Sequence, residues 1–137
     1  MKPDSTVIYF TVCLGTGYGI IVSLILIFFQ NEITIDQNIK LIIATISYFL
    51  IVSGLLSSTL HLGHPKRAWR ALSQWRSSWL SREGVAAIFT FAPLTLFFIF
   101  WIFTNYTKIT FLLLIISSIS SIVTTICTAK IYSSIKA

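Results

Sequence analysis

Charge is what this 137-residue chain has least of: Asp, Glu, Lys and Arg together make up only 10% of it. A soluble domain carries about a quarter. With 55% of the residues hydrophobic, the composition excludes a water-soluble globule and indicates a membrane-embedded chain. Acids are the scarcest of all, four against ten bases. The resulting net charge of +6 would suggest nucleic acid in a soluble protein. No soluble basic domain exists here to carry it, so anionic lipid head groups and a protein partner fit better. The two cysteines, Cys13 and Cys127, sit inside separate apolar runs far from any Cys or His partner in sequence. They read as small apolar residues, not as a disulfide or a metal site. Zinc would need about four ligands. The two histidines, His61 and His64, are too close in sequence to sandwich a haem between helices.

What the chain has in abundance is hydrocarbon in long runs. Val7 to Phe29, Leu41 to Leu62, Val85 to Thr104 and Ile109 to Ala129 contain no Asp, Glu, Lys or Arg. Each is about 20 residues, enough for a helix to cross a hydrocarbon core of about 30 Å. The expected fold is therefore all-α: one integral membrane domain over 1–137, a four-helix bundle with a short interfacial helix between helices 2 and 3. The first run exceeds the roughly 7–15 residues of a signal-peptide core and leads into Gln30-Asn31-Glu32 without a small-x-small site, so it reads as a retained helix.

Within helix 1, Leu14-Gly15-Thr16-Gly17-Tyr18-Gly19 has the look of a nucleotide-binding glycine loop but lacks the strand, helix and βαβ unit such a loop requires. Gly15 and Gly19, four apart on one face, instead predict close approach of another helix. Pro93 removes a backbone donor inside helix 3 and predicts a kink. The tight connection around Asn105 to Lys108 makes helices 3 and 4 antiparallel neighbours. Helix 4 carries Ser117, Ser118, Ser120, Ser121, Thr124, Thr125 and Thr128. Such hydroxyls join helices through small size and interhelical hydrogen bonds; a polar conduit is the alternative.

The titratable chemistry is gathered in residues 57–84, which hold both histidines, five of the ten bases and three of the four tryptophans. In a membrane protein such a concentration marks where it works. Pro65 suits a first helical position. From there Lys66, Arg67, Arg70 and Gln74 share one face, and Ala68, Ala71, Leu72 and Trp75 the other. This is the pattern of a short helix lying in the interface with its bases toward phosphates or a partner. Trp69, Trp75 and Trp79 fit an aromatic belt. Ser77-Ser78 turns the chain, Ser81 is placed to cap helix 3, and Glu83 falls in its first turn. Both termini and this segment lie on one side with Lys2, Lys66, Arg67, Arg70, Arg76, Arg82, Lys130 and Lys136; only Lys40 and Lys108 lie on the other. The positive-inside rule makes the basic side cytoplasmic.

Leu60-His61-Leu62-Gly63-x-Pro65-x-Arg67-Ala68, followed by Ser78-x-Leu80-Ser81-x-Glu83, resembles the anchor-subunit family of dimethyl sulfoxide reductase. The resemblance covers the N-terminal half of such an anchor. It implies a multi-pass protein of the bacterial cytoplasmic (inner) membrane that holds no metal or haem itself. Such an anchor binds menaquinol and passes its electrons to an iron–sulfur subunit, which serves a molybdopterin catalytic subunit. It implies quinol contacts at His61 and Glu83, to which Arg67 is added as a neighbour; Lys66, Arg70, Arg76 and Arg82 are expected to meet lipid or the partner.

Elementary chemistry agrees. Quinol oxidation releases two electrons and two protons, and a histidine and a partly buried glutamate are suitable acceptors for the protons. If helices 2 and 3 are neighbours, His61 at the end of one and Glu83 at the start of the other meet at one boundary. The plainer readings are a histidine capping helix 2, a first-turn carboxylate in helix 3, and a purely structural anchor that docks partners without binding quinol.

Overall fold

The computed structural model describes residues 5–30, 35–60, 70, 73–104 and 107–135. Four helices fill them: α1 (Ser5–Phe29), α2 (Gln37–Leu60), α3 (Trp79–Thr104) and α4 (Lys108–Ile135). All four are long and apolar enough to cross a membrane. Each contains one of the expected runs almost entirely and overshoots it with polar residues at one or both ends, where water and head groups satisfy the terminal backbone groups. Of the interfacial helix, residues 65–69, 71 and 72 lie outside the described residues. The chain from 74 to 77 is a turn, closed by the Ser77 and Ser78 amides donating to the Gln74 carbonyl at 3.0 and 3.3 Å.

The helix starts are set locally. Asp36 accepts the Gln37 amide on its side chain at 3.0 Å and the Lys40 amide on its carbonyl at 3.1 Å. Thr107 caps α4, its hydroxyl accepting the Thr110 amide at 3.2 Å. Ser81 does not cap α3. The helix has already begun at Trp79, the Ser78 carbonyl accepts the Arg82 amide at 3.1 Å, and Ser81 is buried inside the first turn. α3 continues through Pro93 to Thr104.

Neighbouring helices are antiparallel. α1 lies between α2 and α4, α3 packs along α4, and α2 meets α3 over a narrower strip. Gly17 on α1 lies against Ile51 of α2, and Gly54 on α2 against Leu14 of α1. Thr11 and Tyr132 share a hydrogen bond between α1 and α4. The α2–α3 strip is held by Tyr48 with Thr95 and by Gln37 Nε2 donating to the Ile102 carbonyl at 2.9 Å.

The interior changes character along the bundle. At the end far from residues 57–84, Phe28 packs against Phe97 and Trp101, with Phe111 stacked on it. Toward the other end the same faces of α3 and α4 turn polar, with Ser81, Glu83, Thr90, Ser117, Ser118, Ser121, Thr124 and Thr128 all buried. The outside is hydrocarbon all round, from Leu26 and Phe29 to Phe49, Phe89 and Phe103. Such a surface would aggregate in water but is solvated by lipid tails.

Lys40 is a buried cation on α2, 5% exposed. Its ammonium donates to the Trp101 carbonyl at 3.3 Å and lies 5.9 Å from the Trp101 ring centre, so it meets the negative end of α3. Lys40→Met keeps the stem and removes the charge. It is expected to cost about 1.5–3 kcal/mol, the usual loss for a hydrogen bond from a charged donor, read as a lower unfolding temperature in detergent.

Candidate functional site

The site forms where three helices bring polar groups into a hydrocarbon interior. Glu83 lies one turn into α3 and is 2% exposed. It faces α4, where the Thr128 hydroxyl donates to Glu83 Oε1. The same hydroxyl lies 3.1 Å from the Thr124 carbonyl, so Thr128 is shared between its own helix and the carboxyl. Further into the membrane the Thr90 and Thr124 hydroxyls approach to 3.3 Å. Tyr18 enters from α1, also 2% exposed. Its hydroxyl is buried and lies near Thr124. Cys127 is also buried, on α4.

Arg82, next to Glu83 in sequence, points the other way. Its Nε donates to the Trp75 carbonyl at 3.0 Å and its Nη2 to the Arg76 carbonyl at 2.8 Å. Its guanidinium sits 4.3 Å from the centre of the Trp79 ring. Arg82 thus folds the 74–77 turn over the start of α3 and does not pair with Glu83. Among the described residues no cation forms an ion pair with that carboxyl. An ionisable group buried at this depth is costly to keep, which makes Glu83 the candidate around which the site is built.

The whole chain, residues 1–137, matches the DMSO reductase anchor subunit (DmsC) family. The chain belongs to that family. Over 87 aligned residues it is 36% identical to a sulfite dehydrogenase subunit from Allochromatium vinosum, a match covering 61% of this chain and 27% of that protein. The chain thus spans well under half the length of the curated relative it matches. No solved structure matches it significantly.

In this anchor-family chain the expected site residues are distributed as follows. His61, Lys66 and Arg67 lie outside the described residues. Glu83 is deeper than a first-turn carboxylate and turned toward α4, whereas the described α2–α3 contacts lie at mid-bundle and toward the other end. Arg70 and Arg76 are exposed, and the Arg76 guanidinium lies 5.5 Å from the Trp75 ring centre. Among the described residues no group of three or more His, Cys, Asp or Glu is placed to hold a metal ion.

Tyr18 is the residue at this site that sequence reasoning missed. Its signal was present: tyrosines of membrane helices favour the two interfaces, and Tyr18 stands in the middle of α1. The glycines differ too. A Cβ at Gly15 or Gly19 would meet nothing within 4 Å, whereas one at Gly17 would lie 2.7 Å from Ile51 Cγ1. Close helix approach therefore happens at Gly17 and Gly54, while Gly15 and Gly19, with Ser23 and Ile126, line a groove between α1 and α4.

Proposed function

We propose that this chain is the quinol-binding part of a membrane anchor for a molybdenum-dependent oxidoreductase of the bacterial cytoplasmic membrane. It binds menaquinol at the 57–84 end of the bundle and passes the electrons to an iron–sulfur subunit that serves a molybdopterin catalytic subunit. Glu83 accepts one of the quinol protons, and His61 and Arg67 complete the head-group contacts. Lys66, Arg70 and Arg76 face the partner subunit or lipid phosphates, and Arg82 shapes the turn that presents them. The observation that carries this reading is the buried Glu83 carboxyl, held by a hydroxyl and without an ion pair among the described residues. Family membership and a relative that is itself a subunit of a dehydrogenase support it.

The test is binding of a menaquinol analogue to the chain co-assembled with its iron–sulfur and catalytic subunits. His61→Ala and Glu83→Gln are each expected to weaken saturable binding about tenfold or more with assembly intact, the loss of one good buried hydrogen bond. Unchanged binding in both variants, or none in the wild type while the subunits still dock, would leave a structural anchor.

A further inference from the structure

We propose that Thr128 is a positioning residue for Glu83 in quinol oxidation: its hydroxyl holds one carboxyl oxygen against α4 and leaves the other to take the quinol proton. The proposal rests on the reading of Glu83 as proton acceptor.

A hydroxyl has one proton to donate. On the buried face of α4, Ser117, Ser121 and Thr124 spend theirs on the helix itself, on the carbonyls four residues back at 2.7, 2.7 and 2.9 Å. Thr90 of α3 does the same with the Ala86 carbonyl at 2.8 Å. Thr128 differs. The Thr124 carbonyl is 3.1 Å from its hydroxyl, but the same hydroxyl reaches across to Oε1 of Glu83 on α3. A hydrogen bond to a charged acceptor is roughly twice as strong as one to a neutral acceptor, so the proton goes to the carboxylate. The Thr124 carbonyl then serves to fix the rotamer, since a threonine in a helix chooses between two and contact with that carbonyl selects one.

A carboxylate out of water needs such a donor. The nearest cation in sequence does not supply it, because Arg82 turns its Nε and Nη2 to the Trp75 and Arg76 carbonyls. With Oε1 tied to Thr128, the carboxyl group is anchored to α4 and Oε2 is the oxygen for the quinol. In the step itself a quinol O–H bond breaks and its proton bonds to Oε2. His61 takes the second proton, and the two electrons leave to the iron–sulfur subunit. Oε1 is then a carbonyl oxygen that still accepts from Thr128. The hydroxyl keeps its own proton throughout, and the bond to Oε1 is made in both states of the acceptor.

The experiment compares wild type, Thr128→Val, Thr128→Ser, Glu83→Gln and the Thr128→Val/Glu83→Gln double variant in the assembled complex, measuring kcat and KM for menaquinol oxidation. Valine keeps the shape of threonine and lacks the donor. Thr128→Val is expected to lower kcat about tenfold or more, the loss of a hydrogen bond to a charged group, with KM unchanged because Thr128 does not touch the quinol. Thr128→Ser keeps the donor and restores most of the rate. Because Thr128 acts through the carboxylate, the double variant turns over as slowly as Glu83→Gln alone and no slower. Wild-type kcat in Thr128→Val overturns the proposal. So does a serine variant no better than the valine variant, or a double variant slowed by the full product of the two single effects, because either describes packing and not a bond to Glu83. If Glu83→Gln itself turns over normally, the acceptor reading has failed and Thr128 has nothing to position. If Glu83→Gln is impaired while Thr128→Val is not, the acceptor reading stands and Thr128 alone is excluded.

Discussion

Exchanging Glu83 for glutamine is expected to slow quinol oxidation by the assembled complex at least about a hundredfold, the lower range for loss of a positioned acid–base group, without preventing assembly. Glutamine has nearly the same volume, and its amide oxygen can still accept the Thr128 hydroxyl that now reaches Glu83. What it cannot do is take a proton. Stability should move differently. The carboxyl is buried with no ion pair among the described residues, so it contributes little to holding the bundle together. Glu83→Leu removes it without orphaning Thr128, whose hydroxyl keeps the Thr124 carbonyl 3.1 Å away. The leucine variant is therefore expected to unfold at the wild-type temperature or above while showing no quinol oxidation. Wild-type turnover in the glutamine variant would rule Glu83 out as the acceptor. A large fall in unfolding temperature in the leucine variant would instead make Glu83 a structural residue.

The four spans were legible because length and absence of charge suffice to define a membrane helix. The antiparallel α3–α4 pair followed from the short connection between them. The packing of α1 against both α2 and α4 did not follow, because its apolar residues leave no polar stripe to say which face turns inward. The glycines show the same limit. A spacing of four defines a face at Gly15 and Gly19, but the face that packs against α2 is the one carrying Leu14 and Gly17. Glu83 was legible as a candidate, being the only acid in the segment where the chemistry gathers. Its direction was not, since a turn of helix decides whether a carboxylate meets water, α2 or α4. The hydroxyls of α4 were visible as a group; the structure divides their work. Thr124 and Thr128 reach across to α3 at Thr90 and Glu83, while Ser117 and Ser121 donate to their own helix carbonyls at 2.7 Å.

Gly17→Leu is expected to force α1 and α2 apart, whereas Gly15→Leu leaves the bundle as it is. The two positions are two residues apart in one helix and share its intrinsic propensities, so the contrast isolates packing. A Cβ at Gly17 would lie 2.7 Å from Ile51 Cγ1 and 3.3 Å from both the Ile51 backbone nitrogen and Leu50 Cβ. Ile51 cannot swing away, because a β-branched side chain in a helix has one strongly preferred χ1, and its backbone nitrogen is fixed by α2 itself. Even Gly17→Ala should lose about 1–3 kcal/mol to overpacking, offset by at most about 1 kcal/mol of helix propensity. The leucine adds three more carbons to a space that does not hold the first. Gly54→Ala meets the same obstacle from α2, 2.9 Å from Leu14 Cγ and 3.3 Å from the Leu14 backbone nitrogen. At Gly15 nothing lies within 4 Å of the added Cβ, so the propensity gain is unopposed and the side chain extends along the bilayer-facing groove. Thermal unfolding in detergent should separate the two leucine variants by more than the alanine pair. Equal unfolding temperatures for Gly17→Leu and wild type would show that α1 and α2 do not depend on this close approach.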